Sequence, residues 1–405
     1  MSLIHTFATR AKRMKASEIR ELLKLLDQPD IISFAGGIPD PDLFPAKRFQ
    51  AAMVNALSDG AHAQSLQYST SEGYAPLRAW ITGQMGALGI PCTQDNILIT
   101  SGSQQALDYL GKLFVSPDDT VLVGWPSYLG ALGAFNAYEP HFDRLDPKAN
   151  RPAADYARQA GQKGGKVKFA YLSVDFANPT GRTLTLAERE GVLDLAQKLD
   201  CAVIEDAAYQ DLRYDGEPIP PMLALELERS GTIEACRTIY CGSFSKTLSP
   251  GLRVGWVCAA KPVIAQLVLE KQAGDLHTPT LNQMAVAEVA GDGYQEHLCH
   301  VRSVYRQRRD HMLGALERFM PHGVDWTRPE GGMFLWLTLP DRLDGAALLQ
   351  RAIADERVAF VPGHAFFADG SGRNTLRLSF SNSGTQAIGE GIERLGRVIK
   401  QACRQ

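Results

Sequence analysis

Six short, almost unbroken apolar runs constrain the fold more than any other feature of this sequence. They are "NILIT" (96–100), "TVLVGW" (120–125), "KFAYLSV" (168–174), "CAVIED" (201–206), "TIYCGSFS" (238–245) and "RVGWVCA" (253–259). Runs this apolar and this short read as strands covered on both faces. Between most of them lie longer amphipathic stretches such as "SQQALDYLGKLF" and "TLAEREGVLDLAQKL". In the second, Thr185 precedes Glu188 by three residues, the spacing of a capping box. Strands alternating with helices predict an α/β fold built on a mostly parallel, doubly covered sheet. The carboxyl-terminal part reads differently. "GGMFLWLTL" and "TLRLSFS" are strand-like and flank the helix-like "AALLQRAIADE". The expected division is an N-terminal helix and arm over 1–45, a large domain over 46–290 and a smaller α+β domain over 291–405.

The chain has 405 residues, enough for two cores, with ordinary apolar (45%) and charged (21%) content. A net charge of −3 provides no basic field for nucleic acid. No apolar run approaches the ~20 residues of a membrane span. The first residues lack the continuous apolar stretch of a signal peptide. The seven cysteines are dispersed without a C-x-x-C pair, which predicts reduced thiols and a cytoplasmic location. "HLCH" brings His297, Cys299 and His300 together, but no second cluster completes a metal site. An exposed helix face is the simpler reading, and no metal is expected.

Polar clusters follow the apolar runs: "TSGSQQ", "WPSY", "NPTG", "EDAAY" and "GSFSK". Sheets of this type bind ligands outside the carboxyl ends of their strands, so these clusters point to one shared site. "SGSQQAL" stands where a helix starts, which suits a phosphate, although an ordinary capped helix start explains it too. It lacks the spacing of a dinucleotide fingerprint. "AGQKGGKV" lacks the first glycine and the final Ser or Thr of a P-loop. In "GSFSKTLSPGLRVGW", two hydroxyls (Ser243, Ser245) and Arg253 can grip a phosphate and leave Lys246 to react. Asp206 ends an apolar strand, so a buried carboxylate in need of a cation is expected there. Tyr209 follows three residues later, and an aromatic, Tyr128, follows "WPS". A reactive lysine, a buried acid, a phosphate cup and a stacking ring are what pyridoxal 5′-phosphate requires.

These motifs, with "SFAGGIPDPDLFP", "LQYSTSEGYAPLR", "LHTPTLNQ", "GGMFLW" and "VPGHAF", run over nearly the whole chain in one order. In that order the chain resembles the pyridoxal-phosphate-dependent aminotransferases of class I/II (fold type I), and most closely their aminoadipate/kynurenine-like branch. The resemblance implies that Lys246 bonds the cofactor aldehyde and that Asp206 partners the pyridine nitrogen. Asn178 and Tyr209 would donate to the ring oxygen and Tyr128 would stack on the ring. Ser103, Gln104, Ser243, Ser245 and Arg253 would hold the phosphate. Tyr68 would reach the phosphate of the partner subunit in a homodimer with shared sites. Arg377 would clamp the substrate α-carboxylate, helped by Asn178 and the backbone near Gly37. One departure stands out: the stretch before "NPTG" reads "SVDFA", where relatives often carry Pro and Gln, so Asp175 and Ala177 put the pocket wall there in question.

Some assignments have plainer readings. Arg377 lies in "LRLSFS", where Leu376, Leu378 and Phe380 alternate with it; a solvated sheet face accounts for that pattern equally well. Arg20 stands opposite an apolar stripe of Ile19, Leu22, Leu23 and Leu26 and reads as a solvent-facing arginine, whereas the resemblance lets it meet an acidic substrate side chain. The expected reaction moves an amino group between an L-amino acid and a 2-oxo acid, with 2-oxoglutarate as acceptor and aminoadipate, glutamate, aromatic or branched-chain donors. A β-lyase or decarboxylase on the same frame is the alternative. A ligand-sensing regulator is not expected, because about 30 residues precede "SFAGG", too few for a DNA-binding domain.

Overall fold

The computed structural model describes residues 3–14 and 30–404. A short strand, β1 (Ile32–Ser33), opens the second stretch. The seven strands that follow form one sheet: β2 (Ile97–Thr100), β3 (Thr120–Gly124), β4 (His141–Leu145), β5 (Val167–Ser173), β6 (Ala202–Asp206), β7 (Thr238–Ser243) and β8 (Gly255–Cys258). Their order is β2-β8-β7-β6-β5-β3-β4. β8 pairs antiparallel with both neighbours, and every other pairing is parallel.

All six apolar runs lie in this sheet, and β4 is a strand the apolar pattern missed. β4 is the far edge, and four of the five residues of "HFDRL" are only partly buried or exposed. An edge strand covered on one side keeps polar residues, so it carries no continuous apolar signal. In the inner strands successive residues feed opposite faces. Ile204 and Ile239 join Leu107 and Phe135 on one side, while Val203 joins Val192 and Leu195 on the other. At about 1.5–3 kcal/mol for each fully buried aliphatic side chain, helix cover on both faces is what holds these strands in place. The capping box forms as spaced: Thr185 Oγ1 accepts from the Glu188 amide (3.3 Å) and Glu188 Oε2 accepts from the Thr185 amide (2.9 Å), starting the helix Leu186–Leu199.

A second, antiparallel sheet has the order β12-β13-β10-β9, made of β9 (Asp325–Trp326), β10 (Phe334–Thr338), β12 (Val361–Pro362) and β13 (Thr375–Ser379). The remaining strand, β11 (Val358–Ala359), pairs in parallel with β1. The helices Tyr294–Phe319, Gly345–Glu356 and Thr385–Arg404 surround a separate apolar cluster that includes Phe34, Tyr305, Phe334, Leu376 and Leu395. No helix among the described residues is long and apolar enough to cross a membrane.

Candidate active site

Because six of the seven strands run one way, their carboxyl ends share an edge of the sheet. The reversal of β8 brings the residues before it to that same edge, so Arg253 joins the loops that follow β2, β3, β5, β6 and β7. A cavity of about 280 Å³ opens there, with Gly37, Ser103, Gln104, Tyr128, Asn178, Asp206 and Tyr209 in its wall. Ser243, Ser245, Lys246, Arg253 and Arg377 complete the set. Of the expected residues that are described, Tyr68 alone is not in this wall. Tyr68 is 79% exposed and sets its ring edge-on to His277, 6.1 Å between centroids. Arg20, with the apolar stripe opposite it, lies outside the described residues.

Lys246 follows the end of β7 by three residues. Its Nζ donates to the Gly37 carbonyl at 3.1 Å. Burial pulls its pKa down to about 8, the nearby charges of Arg377 and Arg253 pull the same way, and Asp206 opposes them. Asp206 ends β6 and is 4% exposed. Burial raises its pKa, and a hydrogen bond from Tyr171, the Ala208 amide and the charge of Lys246 hold it back. Tyr171 Oη donates to Asp206 Oδ2 at 2.7 Å. Sequence reasoning missed Tyr171, since an aromatic inside an apolar strand reads as packing. Its ring does pack, 5.5 Å from Phe135; only its hydroxyl belongs to the site.

The solvated-face reading of Arg377 is overturned. All five residues of β13 are buried, and Arg377 is 2% exposed. Its guanidinium lies between the rings of Phe334 (4.3 Å) and Phe366 (5.1 Å). Nη1 donates to Asn178 Oδ1 (2.9 Å) and Nη2 to the Ala35 carbonyl (2.7 Å), while Nε has no partner. Burial lowers its pKa to about 10. Among the described residues no carboxylate pairs with it. A buried cation left unpaired costs several kcal/mol, so this arginine calls for an anion from outside the chain. Asn178 also approaches Tyr209, with Nδ2 3.5 Å from its hydroxyl oxygen.

A phosphate fits the other end of the cavity. The helix Ser103–Phe114 begins after Gly102 with no side-chain cap, leaving first-turn amides to meet an anion. Gly102 has φ +79°, and a β-carbon there would stand 2.4 Å from Arg253 Nη2. Arg253 itself is held at φ 53°, a strained value for a residue with a side chain. Tyr128 Oη approaches Gln104 Oε1 at 3.4 Å. Anion donors at one end, a buried carboxylate, and an amine lowered toward its neutral form together match the donor set that pyridoxal phosphate needs. Only the neutral amine attacks an aldehyde. The rate at which the cofactor-free chain captures pyridoxal phosphate should therefore rise with pH and level off above about 8. A rate still climbing toward 10.5, the ordinary lysine value, would contradict the lowered pKa.

The "SVDFA" departure does not reach this cavity. Asp175 turns to Arg189 (2.7 Å) and Arg213 (3.1 Å) in a buried cluster. Ala177 instead lines an adjoining space of about 130 Å³ that shares Tyr128, Ser173 and Asn178 as walls. His297 bonds the Thr247 carbonyl at 2.7 Å and Cys299 is exposed. Among the described residues no group of three or more His, Cys, Asp or Glu is arranged to hold a metal.

The chain is similar to known proteins over almost its whole length. The family described as "Aminotransferase class I and II" matches residues 29–395. A 2-aminoadipate transaminase of Thermus thermophilus is 44% identical over 99% of this chain and 98% of its own. An aromatic-amino-acid aminotransferase of Thermococcus litoralis is 43% identical over 98% of this chain and 95% of its own. A solved alpha-aminoadipate aminotransferase of Thermus thermophilus, complexed with N-(5′-phosphopyridoxyl)-L-leucine, superposes with a TM-score of 0.88 at 42% identity and covers both chains fully.

Proposed function

The chain belongs to the class I and II aminotransferases, and from that premise we propose which residues carry its reaction and which substrates it takes. It moves an amino group between an amino acid and a 2-oxo acid with pyridoxal 5′-phosphate as cofactor. When bound, the cofactor supplies an aldehyde to receive the amino group and a ring to accept the electrons freed at the substrate Cα.

In our reading the chain's residues do the rest. Ser103, Gln104, Ser243, Ser245 and Arg253 hold the phosphate. Asp206 keeps a proton on the ring nitrogen, and Tyr171 orients its carboxylate. Tyr128 covers the ring, while Asn178 and Tyr209 hold its oxygen. Arg377 and Asn178 fix the α-carboxylate beside Gly37, which aims the Cα hydrogen at Lys246. The Lys246 amine, neutral above about 8, takes the Cα proton as general base. The observation that carries this reading is the placement of Lys246, Asp206 and the unpaired, buried Arg377 in one cavity wall.

For substrates we propose 2-oxoglutarate as acceptor, with 2-aminoadipate, aromatic or branched-chain amino acids as donors. The names of the two relatives, one acting on 2-aminoadipate and one on aromatic amino acids, support a broad donor range. Arg20 would meet the distal carboxylate of an acidic substrate, a role that rests on the resemblance alone. The working unit would be a homodimer in which the exposed Tyr68 completes the partner's phosphate site, and its sedimentation reads this directly. The seven free cysteines, four of them buried, support a cytoplasmic location. The domain division at residues 45 and 290 belongs to the same proposal, supported by the separate apolar cluster around the second sheet.

The test presents each amino acid with 2-oxoglutarate and follows both products. One 2-oxo acid should form per amino acid consumed, without ammonia or CO₂; release of either without an acceptor would mark a lyase or decarboxylase. Arg377→Ala should lower kcat/KM by about 10- to 150-fold, the worth of one charge-assisted pair, and leave cofactor binding intact. An unchanged kcat/KM would remove Arg377 from the substrate.

A further inference from the structure

Behind the phosphate end of the cavity lies a buried charge that the reaction does not use. Lys271, on the helix Lys261–Gly274, is fully buried. Its Nζ donates to Asp275 Oδ1 (2.8 Å) and Oδ2 (3.0 Å) and to Gln105 Oε1 (2.8 Å). Asp275 Oδ2 accepts in turn from Gln105 Nε2 (2.8 Å) and from Ser101 Oγ (3.0 Å). Gln105 Oε1 accepts from the Ser101 amide at 2.8 Å. The Ser101 carbonyl accepts from Arg253 Nη2 at 3.3 Å. Ser101 is thus held at its amide, its carbonyl and its hydroxyl. It directly precedes Gly102 and the helix start whose Ser103 and Gln104 line the cavity.

The pair is half-buried, with Lys271 sealed and 31% of the Asp275 side chain exposed, and the cost of taking the ammonium out of water offsets much of what the attraction returns. What such a pair does well is fix geometry. We propose that Lys271 and Asp275 are positioning residues for the cofactor phosphate: their ion pair locks Gln105 and Ser101, and Ser101 sets both the first helical turn and the Arg253 guanidinium. The proposal rests on the phosphate-site reading above. It assigns a role to a lysine and a carboxylate that touch neither cofactor nor substrate. A cup held this way is rigid before the anion arrives, so less ordering is needed on binding.

The phosphate's share of the affinity is measurable directly. The full-length, cofactor-free chain is titrated with pyridoxal 5′-phosphate and with pyridoxal, which lacks the phosphate, and the ratio of dissociation constants is compared among variants. Lys271→Met keeps the length and loses the charge. Ser101→Ala removes only the hydroxyl and keeps the test decisive if Lys271→Met does not fold. Each should cut the preference for the phosphorylated ligand by about 10- to 100-fold, with pyridoxal bound as before. The double variant should lose little more than the larger single loss, as expected of groups in one network. An equal weakening of both ligands, accompanied by a lower Tm, would show a structural role alone and overturn the proposal. Arg253→Met separates the two readings. If it keeps the preference, the phosphate site itself is misassigned; if it loses the preference while Lys271→Met and Ser101→Ala keep it, the positioning role alone fails.

Discussion

Lys246→Ala is expected to leave a folded chain without measurable turnover. On the proposed roles, the substitution removes both the group that bonds the cofactor and the base that takes the Cα proton. General-base catalysis alone contributes about 10²–10⁴-fold, so the combined loss should exceed about 10⁴-fold. Folding should survive, because the amine makes one hydrogen bond, to the Gly37 carbonyl, and its burial already opposes its charge. Circular dichroism should match the parent, while the visible absorbance of lysine-linked cofactor disappears. Near-normal turnover would refute the assignment outright.

Asp206→Ala is expected to lose most of its cofactor and most of its rate. The carboxylate is buried, and Tyr171, Ala208 and Lys246 together offset only part of the cost of its charge. A protonated ring nitrogen would be the missing counter-charge. Removing one member of a buried ion pair costs about 3–5 kcal/mol, or two to four orders of magnitude in affinity. Asp206→Asn keeps the shape without the charge, so it separates packing from charge. Equilibrium titration with pyridoxal 5′-phosphate reads the affinity. A variant that retained both tight binding and turnover would sink the pairing.

How far the sequence carried this site depends on what each residue does. Asp206 and Lys246 were legible because a polar group at the end of an apolar run has few bland explanations. Arg253 was legible as a nearby cation, but the reason it reaches the cavity was not. That reason is the reversal of β8, and an apolar run looks the same in either direction. Tyr171 was hidden because its ring satisfies the core and only one atom serves the site. Lys271 left a readable trace that went unused: Ile264, Leu267, Val268 and Lys271 are all buried and stand at the 3.6-residue spacing of one helix face. A lysine on such a face needs a partner, and Asp275 follows one turn later. Arg377 carried the opposite lesson. Period-two alternation separates the two faces of a strand, but it does not tell which face is wet, and β13 is covered on both.

The pairing of β1 with β11 sets a schedule for biosynthesis. Ile32 meets Val358, and the Ala35 carbonyl meets Arg377, so β1 and the residues just after it lack these partners until the last eighth of the chain exists. A ribosome adds about 5–20 residues per second, so β1 waits roughly 15–65 s for β11. Until then Phe34 and Ala35, fully buried in the finished molecule, belong to an apolar cluster that still lacks its carboxyl-terminal members. Chains stalled short of Val358 should be cut by protease near Phe34, and released chains should resist. The cavity wall joins Gly37, near one end of the chain, to Arg377, near the other, so the wall is completed only as synthesis ends.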